Sequence, residues 1–339
     1  MATIRDIAEA CGVCTSVVSY VINNTRTVAP KTREKVLLAM REMNYQPSAV
    51  ARGLSSKRMN SVGVVFSRIH SSPLSNPFFG PILDSIVSTD MDRQQSTTLF
   101  TWPTWEEITA HHAVFCDGRC DGIILLAPDP KSNVISVLQG RGARFIVVGH
   151  TVDVKDVASI DINNREAARV AVRHLTDLGH RRVAFVSGDI WAAGAGERLE
   201  GYRQALGEAD IEYDDDLVCL ASYNVGTVPA QIARLCAYPE GKRPTAIFFG
   251  NDEMAIAGIA ELRKYGLEVP DDISVVGFDD ITLAASSTPA LTTVRQPLSA
   301  FGRSAVTTLL GFIDGTATDR KHIELAAELI VRGSTRPYR

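Results

Sequence analysis

His112, Cys116 and Cys120 recur at intervals of four, the spacing that would line three metal ligands along one helical face and suit zinc. Cys120 directly precedes the apolar run Asp121-Gly-Ile-Ile-Leu-Leu126, so a helix is expected to end before reaching it, and no fourth ligand is evident. No metal is expected. Nucleophilic and cofactor chemistry have no better footing: there is no Gly-x-Ser-x-Gly turn and no Gly-x-x-x-x-Gly-Lys-Ser/Thr loop, and Gly194-Ala-Gly196 lacks the third glycine of a dinucleotide fingerprint. The histidines and acids show no triad spacing, so no enzyme and no cofactor are expected. The chemistry that does cluster is hydrogen bonding. Thr15, Ser16, Ser19 and Tyr20 put short polar groups on one side of an apolar repeat, Val17, Val18, Val21 and Ile22. Such a face can enter a major groove and touch base edges.

The elements needed to hold that face are legible around it. Thr3 to Asp6 has the spacing of a capping box, with a carboxylate in the first turn, and opens a short helix over residues 3–10 that Gly12 stops. The repeat at Val17 to Ile22 is a second helix, its start held by Thr15 because Cys14 is a weak cap. Two short helices around a glycine turn make a helix-turn-helix. A third helix begins at Pro30, suited to the first helical position, and carries Val36, Leu37, Met40 and Met43 toward Tyr45 to close a small core.

Charge divides at the same place. The first 58 of the 339 residues hold nine Lys and Arg against four acids, a net of +5, which leaves −9 for the rest. A basic head on an acidic body suits a polyanion partner for the head. No apolar run approaches the ~18 residues of a membrane span, and the acidic residues in the opening MATIRDIAEACG argue against a signal peptide, so a cytoplasmic protein with six reduced cysteines is expected.

Beyond Ser61 the chain alternates apolar runs (62–66, 97–100, 122–126, 144–149, 182–187, 217–222, 246–250 and 273–278) with amphipathic stretches at 164–178, 200–209 and 253–265. This is the pattern of an α/β body with parallel strands, about ten of them, hence two lobes. Ligands of such sheets sit beyond the carboxyl ends of strands. The loops nominated by position are Asn76 to Phe79, Gly149-His150, Ala192 to Arg198, Gly250 to Asp252, and Asp279-Asp280. Asp252 is expected to cap the helix after it and Asp280 to satisfy a turn. Rings for stacking, a guanidinium fork and carboxylate acceptors suit a small polyhydroxylated or heterocyclic ligand.

The stretch from Thr3-Ile-Arg-Asp-Ile-Ala through Tyr45-Gln-Pro-Ser-Ala-Val-Ala-Arg-Gly-Leu54, followed by DGIILL, HLTDLGHRRVAFVSG, GNDEMA, VPDDISVVGFDD and PALTTVRQP, resembles the LacI/GalR family of transcriptional regulators over essentially the whole chain. The resemblance implies a three-helix headpiece at 1–47 and a hinge helix and linker at 48–60. It further implies a periplasmic-binding-protein-like body with one lobe at 61–160 and 294–322 and another at 161–293 and 323–339. It places Thr15, Ser16 and Tyr20 among base readers, although Tyr20 stands where many members have Arg, and no guanine contact is expected from it. With Asn23, Arg26, Arg52 and Lys57 they form the DNA-facing set, completed by Leu54 as an apolar wedge in the minor groove. Phe78, Phe79, Arg198, Asn251 and Asp279 fall at or near effector-contacting positions. For the uncharged stretch Trp191-Ala-Ala-Gly-Ala-Gly196, comparison with a more polar loop in the family favours a sugar or sugar-like ligand over a nucleobase. The implied function is a ligand-responsive repressor acting as a homodimer on a near-palindromic operator, with no membrane partner. A transport or sensor protein without a DNA role is the alternative, and a nucleobase is the alternative effector.

Overall fold

The computed structural model describes residues 2–24, 26–46, 53, 58–67, 74–149, 156–189, 193–239 and 241–338. The expected hinge residues Arg52, Leu54 and Lys57, and the Trp191-Ala192 pair, lie outside them. Two compact units emerge, residues 1–61 with 118–121, and the remainder.

In the first unit α1 (Ile4–Cys11), α2 (Thr15–Asn23) and α3 (Pro30–Glu42) close a core of Ile7, Ala8, Cys11, Val18, Val21, Val36 and Ala39. Thr3 and Asp6 cap each other's backbone amides, and Gly12 ends α1 at φ 61°, where a side chain would strain the backbone. The start of α2 departs from expectation. Its N-cap is Cys14, which makes no capping bond, and Thr15 is already the first helical residue. The Cys14 thiol instead meets the Ser16 hydroxyl at 3.0 Å. A second correction concerns α3: Leu37 is 39% and Met43 38% exposed, and Ala39 takes the inward place between Val36 and Met40. The cluster's geometry selects a narrower stripe than hydropathy alone suggested.

The second unit holds two six-stranded sheets. The first combines β1 (Ser61–Ser67), β2 (Ser96–Trp102), β3 (Gly122–Leu126), β4 (Phe145–Val148) and β5 (Ser159–Ile162). Between these strands run α4 (Phe79–Asp92), α5 (Trp105–Ala110), α6 (His112–Phe115) and α7 (Val134–Gly140). The second combines β6 (Val183–Ser187), β7 (Val218–Leu220), β8 (Ala246–Phe249), β9 (Ser274–Asp279) and β10 (Thr292–Arg295). Its helices are α8 (Asn164–Asp177), α9 (Ala193–Glu208), α10 (Val228–Cys236), α11 (Asp252–Lys264) and α12 (Thr282–Ser286). After β10 the chain forms α13 (Leu298–Asp314), then β11 (His322–Leu325) in the first sheet and β12 (Glu328–Ile330) in the second. The orders are β11-β5-β4-β3-β1-β2 and β12-β10-β9-β8-β6-β7. β12 runs antiparallel to β10, and the pairs β1–β3, β3–β4, β4–β5, β5–β11, β6–β7, β6–β8, β8–β9 and β9–β10 run parallel.

The chain therefore changes sheets three times, and each change falls two or three residues later than the resemblance implied. β5 continues to Ile162, β10 stays in the second sheet to Arg295, and β11 stays in the first to Leu325. One apolar cluster takes Val64, Ile124 and Ile160 from the first sheet and Phe185, Phe248 and Phe278 from the second, together with helix residues such as Ile82, Ala168 and Phe301. Continuous apolar runs buried on both faces are what parallel strands require. Helices α8 and α9 approach so closely that a side chain at Gly201 would strike the Arg165 carbonyl. Among the described residues no helix is long and apolar enough to cross a membrane.

Candidate functional site

Two places concentrate polar chemistry. On the first unit, Thr15 and Ser16 are exposed at the start of α2, while Ser19 and Tyr20 are half-buried one turn on. They share an outward side because Val18 and Val21 bury the opposite one. Arg26 lies with its guanidinium 5.1 Å from the Tyr20 ring centroid, and Asn23 donates to the Ser19 hydroxyl at 3.1 Å. Cation and ring thus hold each other beside the hydroxyl-bearing helix. The Ser16 hydroxyl, then the Val17 amide, lowers the Cys14 thiol below the ordinary cysteine range.

On the second unit the carboxyl ends of β6, β8 and β9 meet the first turn of α8 and the second turn of α9. Arg198, buried on α9, donates from Nε to Asn164 Oδ1 at 3.0 Å and from Nη1 to the Gly250 carbonyl at 2.5 Å. Its guanidinium stacks 3.7 Å above the Phe278 ring, and the Tyr223 hydroxyl stands 3.4 Å from Nη1. Asp279, next in sequence to that ring, is buried at φ 121° and accepts from Gln296 Nε2 at 2.7 Å. Burial pushes its carboxyl well above the usual range. Arg198 opposes that rise and Asp252 adds to it. A fork donor, an acceptor and a ring therefore converge at the end of one strand, the means to recognise a polar ring compound.

Sequence position misassigned two neighbours. Asn251, not Asp252, caps α11, accepting from the Met254 amide at 2.9 Å, so its carbonyl oxygen is already engaged. Asp252 is fully buried, taking bonds from the Thr293 hydroxyl at 2.5 Å and the Ile281 amide at 2.9 Å. Burial drives its carboxyl up to about 7 against those two donors. Asp280 does more than satisfy a turn: it pairs with Arg295 at 2.6 Å and Arg332 at 2.7 Å.

From the first sheet's side, Phe78 and Phe79 pack edge to face, centroids 5.1 Å apart, and lean on the shared core. Asn76 Oδ1 accepts from both their amides, and its Nδ2 donates to Glu253 on α11 at 3.2 Å. Asn76 thereby links the start of α4 to the start of α11. Asn164, Tyr223, Glu253 and Gln296 were not singled out from sequence, because only long-range folding brings them to Arg198 and Asp279. The spacing at His112, Cys116 and Cys120 makes no metal face: α6 starts at His112 and ends at Phe115. Among the described residues no group of three or more His, Cys, Asp or Glu is placed to hold a metal ion.

Comparison with known proteins bears on both places. Residues 3–48 match the family described as bacterial regulatory proteins, lacI family, and residues 172–335 a periplasmic binding protein-like domain. The HTH-type transcriptional repressor PurR of Vibrio campbellii is 34% identical over 99% of each chain. The chain belongs to the LacI family. Within the family, the lac repressor dimer bound to operator and the anti-inducer ONPF superposes with a TM-score of 0.87 at 28% identity, covering 99% of each chain. A complex of the transcriptional regulator CelR with cellobiose gives 0.76 at 30% identity, covering 98% of this chain and 100% of that one. This LacI-family protein is a transcriptional regulator, not an enzyme. It has a helix-turn-helix head and a two-lobed α/β body of the periplasmic-binding-protein kind.

Proposed function

We propose that this LacI-family regulator represses transcription as a homodimer on a near-palindromic duplex, reading bases with Thr15, Ser16 and Tyr20 and phosphates with Asn23 and Arg26. Arg52, Leu54 and Lys57 serve the same contact from the stretch of chain between α3 and β1. The observation that carries this reading is the exposed hydroxyl face at the start of α2, on a basic three-helix unit whose opposite face forms a core. Two such helices one DNA turn apart require a paired site. The body takes a sugar or sugar-like effector, with Arg198 and Asp279 as its polar contacts and Phe78 and Phe79 as ring surfaces. The buried fork and carboxylate beside Phe278 support that class, as does the cellobiose complex of CelR. Asn251, whose side-chain oxygen already accepts the Met254 amide, offers its amide nitrogen to such a ligand.

Selection of bound duplexes from a random library by the full-length protein tests the DNA arm. The expected result is a near-palindrome with two half-sites about one turn apart, lost with Thr15→Ala plus Ser16→Ala. Binding without sequence enrichment overturns it. Thermal shift against sugars, nucleobases and phosphorylated metabolites tests the effector arm, since a ligand of the folded state raises the melting temperature by mass action. A shift from nucleobases alone replaces the sugar reading.

A further inference from the structure

The Thr-Thr-Val-Arg-Gln-Pro segment at 292–297 contributes neither a base reader nor a proposed effector contact, yet it stands at the second passage between the sheets. Gln296 is buried. It donates from Nε2 to Asp279 Oδ1 at 2.7 Å, and its backbone amide donates to the Asp279 carbonyl at 3.3 Å. Among the described residues Oδ2 of Asp279 accepts no bond, so the carboxylate is held by one oxygen with the other available. Asp279 and Asp280 both have positive φ, 121° and 57°, a costly conformation for non-glycine residues that persists only where surrounding contacts fix it.

Those contacts run in one direction. In the second sheet Asp279 on β9, Arg295 on β10 and Glu328 on β12 are successive register partners across three strands. The side chains follow the same line: Arg295 donates from Nε to Asp280 at 2.6 Å and from Nη1 to Glu328 at 2.9 Å. Arg295 and Glu328 flank the second and third passages of the chain between sheets. Two residues after Gln296, α13 begins, and it packs so tightly on α4 that a side chain at Gly302 would meet the Ile82 carbonyl at 2.6 Å. Helix α4 is the one that opens at Phe78 and Phe79.

We propose that Gln296 is the positioning residue for Asp279: it aims one carboxylate oxygen at a donor hydroxyl or N–H of the effector. Through Arg295 and α13 it ties that oxygen to the passages between lobes. The proposal rests on the reading of this cleft as the effector site. A ligand that draws on Asp279 Oδ2 pulls on the same carboxyl that Gln296 holds, so binding and lobe geometry change together. Only interactions that differ between the two lobe arrangements can couple a ligand to a switch.

Amide hydrogen exchange by mass spectrometry on the full chain, without any ligand, tests the connection. Gln296→Ala is expected to speed exchange at least about tenfold in peptides covering 279–281, 298–303 and 328–332, leaving α10 and α11 at the wild-type rate. Gln204→Ala, which removes an exposed glutamine bond to Glu208 on α9, leaves all of these unchanged. Gln296→Glu faces one carboxylate with another and does at least as much damage at pH 8. Combined with Asp279→Asn, whose amide can donate to the new acid, it restores wild-type protection. Exchange confined to the peptide containing 296, exchange raised uniformly across the body, or no restoration in the double variant overturns the proposal. The thermal-shift panel of sugars and nucleobases reports separately on the cleft: no shift from any compound sinks the effector reading, whereas the exchange pattern decides the role of Gln296.

Discussion

Asp252→Asn offers a quantitative test of how the effector lobe is held together. Asp252 is fully buried between the Thr293 hydroxyl and the Ile281 amide, and burial raises its carboxyl from 3.8 to about 7. Raising a carboxyl that far is worth on the order of 4 kcal/mol between its protonation states. The sign follows from linkage. Between about pH 4 and pH 7 the folded protein holds a proton that the unfolded chain has released, so stability falls by up to about 1.4 kcal/mol per pH unit, with the whole loss present above pH 7. Asparagine carries no charge, and it can accept from Ile281 while its amide donates to the Thr293 oxygen. It also relieves Asp279 of a neighbouring negative charge. Urea unfolding of the full chain at pH 4, 5, 6, 7 and 8 is expected to show wild type and variant alike at pH 4. By pH 8 the variant gains roughly 2 to 4 kcal/mol, at the scale set by the linkage. Asp252→Ala strands two donors, each costing about 1 to 3 kcal/mol, and is less stable than wild type already at pH 4. Parallel pH profiles for wild type and Asp252→Asn would refute the reasoning.

Three further outcomes follow from other parts of the molecule. Thr3→Ala removes one half of the capping box on α1 and costs the head about 1 kcal/mol, read as earlier loss of its helical signal on heating, with the body's transition unmoved. His174 and His180, whose imidazoles burial holds below the ordinary histidine range, bond Thr335, Ser274 and the Arg336 carbonyl. The unfolded chain takes up protons at these sites first, so stability is full above pH 6.5 and declines as pH falls through the depressed values. Amides of 334–338 should therefore lose protection at pH 5, and unchanged protection would count against this. Arg198→Met keeps bulk over Phe278 but deletes the fork. It should abolish the thermal shift given by any compound that stabilises the wild type, and a retained shift would remove Arg198 from the contact set.

What could be read in advance was what depends on neighbours in the chain. The capping box at Thr3 and Asp6, the left-handed Gly12, Pro30 at the start of α3 and the long apolar strands all declare themselves within a few residues. Four short strands gave no such signal. Ser159–Ile162, Thr292–Arg295, His322–Leu325 and Glu328–Ile330 are three or four residues long and rich in polar side chains. They are strands because a sheet formed elsewhere supplies partners, and this is why the sheet changes were misplaced by two or three positions. The cleft divides in the same way. Arg198 and Asp279 stand at strand and helix ends that spacing can nominate. Asn164, Tyr223 and Gln296, which set the orientation of those two groups, are 34, 25 and 17 residues from the partners they bond. Asp252 and Asn251 exchanged roles for a related reason: either can cap α11, and only the buried Thr293 and Ile281 donors draw Asp252 inward.

The most direct test of the account is the affinity of the full-length protein for its selected duplex, measured by fluorescence anisotropy at fixed salt with and without each sugar that raises its melting temperature. The account predicts that at least one such sugar changes the duplex Kd by about 5-fold or more, the low end of ordinary allosteric coupling, and that Arg198→Met loses this change while still binding the duplex. Sugars that stabilise the body yet leave the duplex Kd unaltered would contradict it.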